Sequence, residues 1–160
     1  MSLSQDKNDV AVAEIDFLVG FPRTCFLDAK RRFCVSAEWR GLLGSSDYLY
    51  VIPNFYLPCL DLLSPEEMKA KLSQLRERKR SEQGLGDALR VFGASSELVK
   101  MDPQRRVRIC DRLLRFAKIE DKVILAASVT CVQLWSPALY PEEEDVDQTK
   151  LAEAARLLGI

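Results

Sequence analysis

The chain contains no histidine among its 160 residues. The commonest general base and the commonest metal ligand are therefore both missing. A Ser-His-Asp or Cys-His site cannot be assembled from these residues. No C-x-x-C pair occurs either, and the five cysteines, Cys25, Cys34, Cys59, Cys110 and Cys131, lack the spacing of a metal set. No Gly-rich phosphate loop is present. Catalysis, metals and cofactors are accordingly not expected. No apolar run reaches 18 residues, so no transmembrane helix is predicted. The N-terminus, MSLSQDKNDVAVAEID, has no basic region ahead of an apolar one and does not read as a signal peptide. The odd cysteine count then favours reduced, mostly buried thiols and a cytoplasmic location. A net charge of −1, from 23 basic and 24 acidic residues, names no partner. Charge is, however, clustered by sign.

What is present is an internal repeat. FLDAKRRFCVSAEWRGLL from Phe26 aligns with KMDPQRRVRICDRLLRFA from Lys100, pairing Asp28 with Asp102, Arg31 with Arg105 and Arg32 with Arg106. CLDLLSP from Cys59 aligns with CVQLWSP from Cys131, and Val51-Ile52 with Val123-Ile124. Two segments in the same order speak for duplication. Each copy predicts a strand, a turn and a second strand. In the first copy these are Arg23 to Leu27, Asp28 to Arg31 and Arg32 to Val35. In the second, Asp102-Pro103-Gln104-Arg105 carries the type I turn residues, Asp first and Pro second. Arg106 to Ile109 alternates polar and apolar, the pattern of a half-buried strand. Short helices follow (37–43 and 111–117), then strands at 48–52 and 122–126 and at 57–63 and 130–135. Between the copies, Ser64, Pro65 and Glu67 open a helix with Met68, Leu72 and Leu75 on one face. Gly84 and Gly86 are expected to end it. A helix at about 87–92 leads into the second copy, and another at 146–158 closes the chain. Residues 1–14 are assigned to a flexible tail, 15–86 to the first repeat with its connecting helix, and 87–160 to the second, both repeats forming one intertwined domain.

Each turn carries consecutive arginines beside a strand. Lys30, Arg31 and Arg32 form one cluster, Arg105 and Arg106 the other. The guanidinium fork matches phosphate and the guanine edge, and a β-ribbon tip enters a groove as a helix does. Solvated surface charge is the plain alternative. Asp28 and Asp102 are assigned to structuring the turn, by accepting turn N–H groups or steering the arginine four residues on. An acidic catalytic pair is the sharper reading, and nothing supplies it with a pocket. Trp39 and Trp135 sit in apolar segments, which favours packing over base stacking. The basic run Arg76 to Arg80 and the acidic run Glu142 to Asp145 read first as solvated helix ends.

These residues resemble the MraZ family, bacterial regulators of the division and cell-wall gene cluster. Its two SpoVT/AbrB-like half-motifs run roughly L-D-x-K-G-R-hydrophobic-x-hydrophobic-P, each followed by a C-L-x-L or I-x-x-W segment. The resemblance spans about Val19 to Tyr140. It implies a mixed β fold with helices, a double-split, swapped-hairpin β-barrel of two half-repeats related by a pseudo-two-fold. It also implies a ring-like homo-oligomer, a nucleoid-associated location and binding to direct repeats in double-stranded DNA of its own promoter, as a repressor. The DNA-contacting arginine corresponds to Arg32 and Arg106, the signature lysine to Lys30, and the aspartates to Asp28 and Asp102. Two departures occur in both copies. The signature glycine is Arg31 and Arg105, and the proline is Ser36 and Cys110. Either the turn has changed shape or the arginine sits in a strained conformation, at about 1–2 kcal/mol. The alternative function is an oligomeric assembly protein on the same scaffold that no longer binds DNA.

Overall fold

The structure is a computed structural model that describes residues 17–78, 84–141 and 145–160. The expectations for the N-terminal tail, for Lys79 and Arg80, and for Glu142 to Glu144 lie outside the described residues. The elements run β1 (Arg23–Phe26), β2 (Arg32–Cys34), α1 (Ala37–Leu42), β3 (Tyr48–Pro53), β4 (Leu60–Leu63), α2 (Pro65–Arg78), α3 (Leu85–Ser95), β5 (Glu97–Lys100), β6 (Arg106–Arg108), α4 (Asp111–Phe116), β7 (Lys122–Ala127), β8 (Val132–Trp135) and α5 (Gln148–Leu158). Mixed sheet and helix, as expected, form an antiparallel architecture. A six-stranded sheet has the order β1-β7-β8-β4-β3-β5, and β2 pairs with β6 in a separate ribbon.

That order reads the same when the two copies are exchanged. The first strand of each copy pairs with the third strand of the other, β1 with β7 and β5 with β3. The turns at Asp28 and Asp102 therefore do not close ordinary hairpins, because the strands flanking each turn diverge to partners in the opposite copy. Phe33 faces Val107 across the ribbon and Asp61 faces Gln133 across β4 and β8. Both pairs join equivalent positions of the two copies, so the pseudo-two-fold passes through them. The registers also correct one part of the repeat alignment. Tyr50 pairs with Leu63, and Ile124 with Trp135. Ile124 is thus the equivalent of Tyr50, and Val51-Ile52 correspond to Leu125-Ala126 rather than Val123-Ile124. The two-residue slip falls in the loop between the third and fourth strands, which is longer in the first copy.

Local chemistry explains the element boundaries. Asn54 Oδ1 accepts the N–H groups of Tyr56 and Leu57, each at 2.9 Å, folding that stretch into a turn. The fourth strand consequently starts at Leu60, not Leu57. Val129 lies at φ 63 and exchanges two backbone hydrogen bonds with Leu18, which delays β8 to Val132. Ser64 Oγ accepts the Glu67 N–H at 3.2 Å and caps α2. Gly84, at φ 88, caps α3, and Gly86, expected to help end α2, lies in the first turn of α3.

The main apolar cluster gathers Phe33, Val35, Leu60, Leu62, Val107, Ile109, Val132 and Leu134 with Trp39 and residues of α4. Phe33 and Val107 point inward because the ribbon alternates, so Arg32, Cys34, Arg106 and Arg108 take its other face. Trp39 is fully buried, its indole N–H donating to the Val19 carbonyl at 2.9 Å, and Trp135 is nearly so. Neither is available to stack on a base. All five cysteines are free, and against the expectation of mostly buried thiols only Cys59 and Cys131 are buried, while Cys25 and Cys110 are half-buried and Cys34 is exposed.

Candidate nucleic-acid interface

The two turns are built alike. In the first, Arg31 N–H donates to the Asp28 carbonyl at 2.8 Å and Asp28 N–H to the Arg32 carbonyl at 2.9 Å. In the second, Arg105 N–H donates to Asp102 at 2.9 Å and Asp102 N–H to Arg106 at 3.0 Å. Arg31 and Arg105 both lie at φ 62. A four-residue turn whose last residue is left-handed is a frequent short β connection, and glycine is its usual occupant. Arginine occupies this left-handed position in both turns, so the strained alternative holds.

The aspartates brace these turns. Asp28 Oδ1 accepts the N–H groups of Lys30 at 2.9 Å and Arg32 at 2.8 Å, while Oδ2 accepts Arg32 Nε at 2.9 Å. Asp102 Oδ1 accepts Gln104 N–H at 2.9 Å and Arg106 N–H at 2.8 Å, and Oδ2 accepts Arg106 Nε at 2.6 Å. The Arg32 backbone N–H, more than its side chain, holds the Asp28 carboxyl below its ordinary pKa. Desolvation pushes Asp102 upward, but the hydrogen bonds from Arg106 and Gln104 outweigh it and its pKa is also lowered. The two sets adjoin, with Arg32 Nη1 4.0 Å from Asp102 Oδ2. Engagement through Nε orients each guanidinium as a fixed fork on the ribbon face.

The five predicted basic residues thus share one region but not one environment. Lys30 and Arg105 are exposed, while Arg31, Arg32 and Arg106 are partly buried. Arg31 Nε lies 3.3 Å from Asp111 Oδ1. The equivalent of Asp111 in the first copy is Ala37, so Arg105 finds no carboxylate there and donates to the Val35 carbonyl at 3.1 Å. Three features escaped the sequence reading: the partnership of Arg31 with Asp111, the placement of Arg108 opposite Arg32, and the exposure of Cys34 between the arginines. The alternation of Arg106 and Arg108 signalled the second. The first and third depend on pairing between the copies. Among the described residues no group of three or more metal-ligating side chains comes together, and no helix is long and apolar enough to cross a membrane.

No family model matches the chain. It is nevertheless similar along most of its length to proteins named transcriptional regulator MraZ. That of Thermoanaerobacter pseudethanolicus is 33% identical over 140 residues, covering 84% of this chain and 94% of the relative. Those of Tropheryma whipplei and Christiangramia forsetii are 28% and 27% identical, covering 79% and 81% of this chain and 89% and 86% of the relatives. Identity at that level, over nearly the whole of the relative, shows that this chain belongs to the MraZ family of transcriptional regulators.

Proposed function

We propose that this protein is a DNA-binding transcriptional regulator that represses the division and cell-wall gene cluster by contacting direct repeats in its own promoter. Lys30, Arg31, Arg32, Arg105 and Arg106 are the contacting residues, and Asp28 and Asp102 position them. The observation that carries this reading is the duplicated brace, two arginines each held through Nε by the aspartate four residues earlier, side by side on one ribbon face. A rigid pair of guanidinium forks loses little conformational freedom on meeting phosphate or guanine. In the same reading the β2–β6 ribbon closes the six-stranded sheet into a swapped-hairpin barrel, the two repeats form one intertwined domain, and copies assemble into a ring that multiplies the contacts.

Fluorescence anisotropy with the DNA upstream of its own gene, against scrambled DNA of equal length, tests the proposal. A bidentate base contact carries about 1–3 kcal/mol. Arg32→Ala combined with Arg106→Ala should therefore weaken specific binding by about 30-fold or more. Affinity should fall with salt at a slope of about 0.9 per phosphate contact. Equal wild-type affinity for upstream and scrambled DNA would remove specific regulation.

A second reading, an assembly protein that does not bind DNA, draws on the carboxylates facing Arg31, Arg32 and Arg106, which offset much of the positive charge. It requires the absence of any mobility shift at low salt together with an intact oligomer.

A further inference from the structure

The outer face of the β2–β6 ribbon breaks the pseudo-two-fold that organises the rest of the fold. Antiparallel pairing sets Arg32 opposite Arg108 and Cys34 opposite Arg106. The axis between Phe33 and Val107 exchanges Arg32 with Arg106, and it exchanges Arg108 with Cys34. Arg32, Arg106 and Arg108 thus share this face, and symmetry is lost where Arg108 meets a thiol as its equivalent. The turns differ in the same sense, since Lys30 of the first corresponds to Gln104 of the second. Arg108 lies beside Arg32 at the end of the ribbon that adjoins the first turn, so Lys30, Arg32 and Arg108 gather there. Cys34 lies at the other end, where its thiol donates to the Gln104 carbonyl at 3.4 Å. One difference runs the opposite way: Arg31 pairs with Asp111, whereas among the described residues Arg105 pairs with no carboxylate.

Arg108 is also the least neutralised arginine of this face. Arg32 and Arg106 are half-buried and held by Asp28 at 2.9 Å and Asp102 at 2.6 Å. Arg108 is exposed, and among the described residues no carboxylate pairs with it. Like charges directly opposite on paired strands repel, so a second guanidinium beside Arg32 does not serve the fold. An anion lying across both would relieve the repulsion. The braced forks are fixed enough to read a base edge, whereas a guanidinium without a brace follows a neighbouring phosphate. Orientation follows from the same asymmetry. A face with true two-fold symmetry docks on DNA equally well in either direction, which suits a palindrome. A direct repeat is not a palindrome, so residues that break the symmetry must read its direction. The added cations at the first-turn end are such residues.

We infer that Arg108 contacts a DNA phosphate and, with Lys30, fixes which end of the ribbon faces which flank of a DNA repeat. The inference rests on the regulatory reading above, and its test separates the two. Fluorescence anisotropy compares wild type, Arg108→Ala and Arg108→Lys on a duplex holding one repeat of the upstream DNA and on scrambled DNA, over a range of salt. Arg108→Ala should bind both duplexes about tenfold more weakly at low salt, with a salt slope smaller by about 0.9. Arg108→Lys keeps the charge and should restore the slope. Methylphosphonates then neutralise the phosphates on one flank of the repeat or on the other. Wild type should lose about tenfold more affinity at one flank than at the other, and Arg108→Ala should lose most of that difference. The melting temperature of Arg108→Ala should be no lower than that of wild type, because a like charge has been removed from beside Arg32. A wild type that binds no DNA, or binds upstream and scrambled DNA equally, would sink the regulatory reading and the orienting role with it. Specific wild-type binding would overturn the inference alone in three cases: unchanged affinity and slope in Arg108→Ala, equal wild-type losses at the two flanks, or a lower melting temperature that assigns Arg108 to the fold.

Discussion

Arg106 donates its Nε proton to Asp102 Oδ2 at 2.6 Å, four residues back along the chain, and Arg32 repeats the bond to Asp28 at 2.9 Å. In both copies the aspartate also holds two turn N–H groups, so one carboxylate fixes the backbone and aims the side chain together.

This double duty sets an acid dependence. Both carboxyl pKa values are lowered in the folded state from the ordinary 3.8. A lowered folded value stabilises the fold fully above the unfolded pKa, and that stabilisation is lost as pH falls through the folded value. Asp28→Asn with Asp102→Asn should therefore be less stable than wild type at pH 7 in urea unfolding, and the gap should begin to narrow below about pH 3.8 and close as pH falls through the lowered values. A gap unchanged at pH 3 would detach the charge of these groups from the turn.

Arg31, at φ 62, occupies a conformation that costs an L-residue about 1–2 kcal/mol. Glycine there relieves the strain but adds about 0.4–1 kcal/mol of unfolded-state entropy. The pair with Asp111 joins two side chains that are 41% and 57% exposed, and solvent screening leaves it worth little. Arg31→Gly should raise the melting temperature by about 1–4 °C, measured calorimetrically. A fall in melting temperature would mean that the Asp111 contact outweighs the strain.

Asp61 sits on the pseudo-two-fold axis, 7% exposed, with both carboxylate oxygens 3.2 Å from Asn54 Nδ2. Burial raises its pKa, against the lowering effects of Asn54 and Lys71. A raised folded value means stability declines as pH rises from 3.8 through that value. Asp61→Asn should flatten this decline and leave the protein at least as stable at pH 7, read from urea midpoints at pH 4 and pH 7. Marked destabilisation at pH 7 would show that the charge itself is needed on the axis.

Thiol reactivity separates the cysteines. Burial is the main cause that pushes Cys59 and Cys131 up to about 12, with the nearby Asp61 adding to it, so their thiolates are scarce at neutral pH. Cys34 is exposed on the arginine face, its thiol donating to the Gln104 carbonyl at 3.4 Å. A maleimide should label Cys34 first and Cys59 and Cys131 only on unfolding, as peptide mass mapping would show. A bulky label at Cys34 should also block DNA binding. Full binding by the labelled protein would move the interface off the ribbon.

Elements specified within a few residues were legible before any coordinates. The turns at Asp28 and Asp102, the Ser64 cap, the alternation that buries Phe33 and Val107, and the braces from aspartate to arginine all lie within about one turn of chain. Boundaries were less legible where side chains re-route the backbone, as Asn54 does ahead of β4. Gly86, expected to end the connecting helix, sits instead in the first turn of α3, two residues after its Gly84 cap, where the interior penalty of glycine does not apply in full.

The sequence by itself determined that there are two copies, that each carries a braced arginine turn, and which strand faces are apolar, because these follow from contacts between near neighbours. Tertiary structure alone decided that β1 joins β7 and β5 joins β3, that the third strands align as Tyr50 with Ile124, and that Arg31 meets Asp111 while Arg105 turns to Val35. Those partners lie 46 residues apart or more, the separation of Val51 and Glu97, and repeats this similar could pair within a copy or across copies with the same local patterns. Only the packing of both copies into one core selects between the two.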